Sequence, residues 1–118
     1  MKHLSLFLSI LLLLITPALF AQDPVEVGKG LYKELFQNDR VRVLEVTVKP
    51  GESIAMHSHP AHLGYVLSGG KMKMTDSAGK VTEADPKPGD VLWFDAVTHK
   101  GENLGTTEIK IVIVELKK

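Results

Sequence analysis

The 118-residue chain contains no cysteine. Disulfide staples, thiolate metal sites and a lipid-anchored cysteine are therefore excluded. Arginine is nearly absent. Arg40 and Arg42 are the only two, so the second half has none to clamp a carboxylate or phosphate. Neither sign of charge is in excess, with 14 Lys and Arg against 14 Asp and Glu. No basic surplus exists to drive binding to nucleic acid or an anionic membrane surface. Beyond residue 21 no internal repeat and no sustained apolar period of 3.6 residues occurs, so almost no helix is expected there.

One long apolar run is present, at the start. Met1-Lys2-His3 is a short basic opening, Leu4 to Ile15 is almost unbroken Leu, Ile and Phe, and Thr16-Pro17 breaks the run before Ala21. This three-part pattern predicts a secretory signal peptide over residues 1–21, with cleavage before Gln22. The run is short for a membrane span. The expectation is an exported protein, periplasmic or secreted, with no membrane attachment after cleavage. Taking 21 residues from 118 leaves 97, enough for one domain with one modest core. Loss of Lys2 leaves 13 Lys and Arg against 14 Asp and Glu, a net charge of −1.

Turn chemistry then recurs roughly every eight to twelve residues, at Asn38-Asp39, Pro50-Gly51, Gly69-Gly70, Ser77-Ala78-Gly79, Pro88-Gly89 and Gly105. Between these lie short runs rich in Val, Ile, Thr, Tyr and Phe. The spacing predicts one all-β sandwich or barrel over residues 22–118. Residues 22–30 read as a polar lead-in. The stretch from Arg40 to Val48 is strand-like but mixed in parity, which implies a bulge or burial on both faces. Gly69-Gly70 reads as a two-residue hairpin. Met72 and Met74 point inward between outward Lys71 and Lys73, either filling core or lining a cavity. Val91–Phe94 reads as a buried strand, and Lys110–Val114 as a central strand covered on both faces. Tyr65, Trp93 and Phe94 are expected in the core, and Asn103 in a turn where it satisfies backbone groups.

Four of the five histidines fall at telling places: His57, His59 and His62 within Met56-His57-Ser58-His59-Pro60-Ala61-His62, and His99 37 positions later. On a strand leading from Gly51, Ala55, His57 and His59 share one face, and Ile54 and Met56 the other. Pro60 ends that strand, with His62 just beyond in the turn. His99 follows a second apolar run that can face the first across a small barrel. Three or four imidazoles suit one transition metal ion: Zn, Fe, Mn, Ni or Cu. The competing reading is a solvated histidine cluster in a turn.

The segment from Gly51 to Gly69 resembles the first motif of the cupin family, G-x5-H-x-H-x(3 or 4)-E-x6-G. Pro88-Gly89-Asp90, His99 and Asn103 resemble the second. The likeness spans about 75 of the 97 residues. It implies a small antiparallel β-barrel of the jelly-roll (double-stranded β-helix) type, with His57, His59 and His99 as ligands of one metal. The family's Glu ligand is missing. Counting back from Gly69, His62 stands in its place; the fourth position is filled by His62, by a carboxylate from Asp95, or left open to water, and Asp95 can instead accept from an imidazole N–H. The implied function is metal-dependent action on a small-molecule ligand. The alternative is a non-catalytic metal or small-ligand binding module. The resemblance also suggests a homodimer formed by strand exchange.

Overall fold

The computed structural model describes residues 22–118, and the predicted leader over residues 1–21 lies outside them. Alternating apolar runs give nine antiparallel strands: β1 (Tyr32–Gln37), β2 (Val41–Val48), β3 (Ser53–His59), β4 (His62–Ser68), β5 (Met72–Asp76), β6 (Val81–Ala84), β7 (Val91–Phe94), β8 (Val97–Asn103) and β9 (Ile109–Leu116). They form a five-stranded sheet ordered β1-β2-β9-β4-β7 and a four-stranded sheet ordered β3-β8-β5-β6. The all-β expectation is met. The lead-in carries one helical turn, α1 (Pro24–Val27), because the Asp23 side chain caps it by accepting from the Val25 N–H at 2.9 Å.

The core lies on the inner face of the larger sheet. Leu44, Val46 and Val48 of β2 and Ile109, Ile111 and Ile113 of β9 are buried at alternate positions, joined by Val66, Ile54 and Tyr32. The β2–β9 register runs without interruption from Val41↔Leu116 to Val48↔Ile109. The mixed parity of β2 is therefore two-sided half-burial. The irregularity in that region belongs to β1, between Glu34 and Phe36.

Three local expectations are corrected. Gly69-Gly70 is not a hairpin, because β4 and β5 belong to different sheets. It is a crossover in which the Gly70 N–H donates to the Pro86 carbonyl at 3.2 Å, and a side chain on Gly69 would strike that carbonyl. β7 is a sheet edge, not a buried strand: Val91 is 61% and Trp93 56% exposed, and Tyr65 beside them is also exposed. β9 is central, but its outward residues Lys110, Val112 and Val114 are only half-buried. Apolar composition had suggested a second covering layer, and the described residues provide none. Asn103 does what its turn position suggested: its Nδ2 donates to the carbonyls of Val48 and Thr107.

These positions differ in what they contribute. Leu44→Ala, at a fully buried site, should lower unfolding free energy by about 2–5 kcal/mol in urea titration. Trp93→Ala, at the exposed edge, should stay within about 0.5 kcal/mol of the parent.

Candidate metal centre

A bulge in β3 builds the site. Ile54 pairs with Gly101 and His57 with His99, so three steps along β3 match two along β8. The extra residue resets the parity. Ile54, predicted to face away from the histidines, is buried on their side, together with His57 and His59. The same register sets His57 directly opposite His99. That explains how a histidine 42 positions further on reaches the pair.

One ring nitrogen from each of His57, His59 and His99 lies within 4.8 Å of the others. His62 stands beside this group, not in it. Its ring is 4.5 Å from that of His59 and stacks on Phe94 at 4.9 Å. Asp95 is exposed between β7 and β8, where the Trp93 indole N–H reaches it at 3.4 Å.

The tautomers are fixed from behind. His57 Nδ1 donates to the Ala55 carbonyl and His62 Nδ1 to the Pro60 carbonyl, both at 2.8 Å. His59 Nδ1 donates to Glu115 Oε2 at 2.7 Å. His57 and His62, which burial keeps neutral, therefore present Nε2 as the lone-pair nitrogen, and the Glu115 contact fixes a proton on His59 Nδ1. The Tyr32 hydroxyl lies 3.3 Å from His57 Nε2 and 3.4 Å from His59 Nε2, marking where those two lone pairs converge.

Glu115 is the residue that motif reasoning missed. Its carboxylate is 2% exposed and also accepts from Arg42 Nε at 2.8 Å. Arg42 in turn pairs with Asp23, the α1 cap, at 2.8 Å. Burial alone would raise the Glu115 pKa, but hydrogen bonds from His59 and Arg42 outweigh it and hold the group ionised. A carboxylate on the far nitrogen of an imidazole increases its strength as a metal ligand. The parity of β9 carried the signal: Glu115 falls in step with Ile109, Ile111 and Ile113, a lone charge on a buried face. Arg42 likewise falls in step with Leu44, Val46 and Val48.

Burial pushes His57 down to about 4 and His99 down to about 3, and lowers His62 as well. Neighbouring imidazoles push in the same direction. These three rings are neutral at pH 7. A set of neutral imidazole donors fits a transition metal better than a hard cation such as Ca or Mg.

The shifts carry a stability consequence. Unfolded histidines protonate near 6.5, whereas His57 and His99 resist until about 4 and 3. The unfolded chain then binds more protons, so metal-free protein should lose stability steadily as pH falls from about 6.5 to 4. Urea midpoints across that range check it, and a flat profile would contradict it. Glu115→Ala, which leaves the His59 Nδ1–H and the Arg42 Nε–H without their acceptor while Arg42 keeps Asp23, should cost about 2–4 kcal/mol at pH 7 in the same assay.

Comparison with known proteins agrees with this geometry. The family model described as the cupin domain matches residues 44–115. No curated protein matches the chain. Among solved structures, a cupin domain from Bordetella pertussis Tohama I is 22% identical with a TM-score of 0.67, covering 74% of this chain and 92% of that one. A cupin superfamily protein from Desulfitobacterium hafniense DCB-2 is 26% identical with a TM-score of 0.58, covering 75% and 77%. A predicted oxalate decarboxylase from Thermotoga maritima is 24% identical with a TM-score of 0.56, covering 74% and 79%. The family match spans more than half the sequence and contains all three clustered histidines, so the chain belongs to the cupin family.

Proposed function

We propose that the protein holds one transition metal ion through His57, His59 and His99 and acts there on a small organic molecule, outside the cytoplasm. The observation that carries this is the convergence of three buried imidazoles, two of which have their Nδ1 protons already committed elsewhere. A bound ion would supply Lewis acidity toward an oxygen or nitrogen of the ligand. Zn, Fe, Mn, Ni and Cu all suit these donors. Export is read from the sequence pattern of residues 1–21.

The chain's own groups bind and orient. Glu115 and Arg42 hold His59 in place. Tyr32 covers the converging lone pairs, and its phenol is pushed up by burial and by the Glu115 charge, so it stays protonated. One observation favours the second reading, a non-catalytic binding module. Glu115 is tied to His59 and Arg42, and Asp76 at the cavity rim accepts from the Ala78 and Lys80 N–H groups. Proton transfer needs a base within reach of the ligand; both Glu115 oxygens are engaged, and Asp76 has one of its two oxygens held by its turn. Oxalate chemistry is not carried over from the Thermotoga protein, because a likeness of 24% shows the fold alone. We also propose a homodimer, since β7 leaves an apolar edge at Val91 and Trp93; light scattering tests it.

Protein purified without a tag should take up about one equivalent of metal per chain, measured by elemental analysis after reconstitution. His57→Ala and His99→Ala should each reduce this to about a tenth or less. His62→Ala should leave it near one equivalent; a loss as large as that of His99→Ala would make His62 the fourth ligand. Tyr32→Phe removes a donor that competes for the same lone pairs, so metal should bind about two- to tenfold more tightly. Water-exchange relaxation of the loaded protein separates the two readings, because a catalytic ion keeps an open position and a water-free ion means a binding module.

A further inference from the structure

The two sheets do not close on each other completely. Between them lies a cavity of about 290 Å³ that opens from the histidine cluster into the barrel. Close packing leaves few voids larger than a water molecule, so a space this size is a feature of the fold. A void of about 150 Å³ accepts benzene, and this one is about twice that. Its walls include Val48, Ile111 and Ile113 of the larger sheet and Met72 and Met74 of the smaller. The polar groups at one end are Tyr32, His59, His62 and His99.

Charge is kept out. The two charged residues on the lining are Asp76 and Lys80, both at the turn between β5 and β6. One Asp76 carboxylate oxygen accepts the Ala78 and Lys80 N–H groups at 2.9 and 2.8 Å, and Lys80 is exposed. Both Arg residues lie elsewhere, and Arg42 is paired with Glu115 and Asp23. An anionic head at the histidine end would lose its hydration there, and the Asp76 carboxylate, whose residue pairs with His99 across β5 and β8, would repel it.

We propose that this cavity binds an uncharged, largely apolar organic molecule of about two fused rings, with a single polar head directed at the histidines. The proposal rests on the metal reading for what that head meets; the body is selected by the apolar walls alone. That separation makes it testable without metal.

The probes are 2-naphthol and its anionic counterpart 2-naphthoate, added to the metal-free protein at pH 7. Binding is followed by NMR of 13C-methyl methionine. 2-Naphthol should shift the Met72 and Met74 methyl signals, leave Met56 in place, and bind at least about tenfold more tightly than 2-naphthoate. Met74→Glu, which brings a charge into the wall, should weaken 2-naphthol by about tenfold or more. Leu92, on β7, also lines the cavity, and Leu92→Trp, which fills the space, should do the same. Equal affinity for the two probes, or binding that leaves Met72 and Met74 unmoved, would overturn the proposal. Zinc uptake on the same samples keeps the two claims apart. Zinc binding without 2-naphthol binding sinks the cavity proposal alone. 2-Naphthol binding in the expected pattern without uptake of zinc, or of Fe, Mn, Ni or Cu offered in turn, supports the cavity and sinks the metal reading.

Discussion

The rest of the site depends on one hydrogen bond, from His59 Nδ1 to the buried Glu115 carboxylate. It joins the two sheets, because Glu115 sits on β9 of one and His59 on β3 of the other. A carboxylate this deeply buried is tolerated only if its charge is matched and its oxygens are occupied. Arg42 on the neighbouring strand meets one demand and His59 the other. The consequence reaches the N-terminal lead-in, where Asp23 caps α1 and also binds the far side of Arg42. A chain of four polar groups therefore ties the start of the domain to one of the three clustered histidines.

This changes how the missing family carboxylate is understood. In the cupin motif a Glu contributes directly to the ion. Here a carboxylate sits behind His59 instead, on the far side of the ring from the nitrogen that joins the cluster. An ion bound there would meet imidazole donors alone, and Glu115 would strengthen His59 as one of them. The cavity beyond is apolar, so the histidine end is where polarity is concentrated. A ligand would gain from the walls by burial and from the centre by direction.

The sequence made the architecture legible because strand parity and turn residues are local signals. The cupin motifs placed His57, His59 and His99 because H-x-H on a strand is geometry written at short range. Other features were hidden for definite reasons. The bulge at residues 55–56 shifts the parity of Ile54, and nothing in Ile54-Ala55-Met56 announces an inserted residue. Val91–Phe94 is as apolar as any core strand, yet strand order puts it at an edge, and order is a long-range property. Gly69-Gly70 carries the composition of a hairpin but serves a close backbone approach to Pro86. Glu115 and Arg42 were readable from parity alone, as charges in step with buried aliphatic residues. Tyr32 reaches the histidines only through tertiary packing.

The central claim is that the fold presets the imidazoles, with Glu115 fixing His59. Long-range 1H–15N NMR of the histidine rings in metal-free protein at pH 7 tests it most directly. His57 and His62 should each show the proton on Nδ1 and a lone pair on Nε2, His59 should hold its proton on Nδ1, and Glu115→Gln should disturb the His59 pattern first. A His59 ring that averages freely between tautomers, or carries its proton on Nε2, would contradict the account.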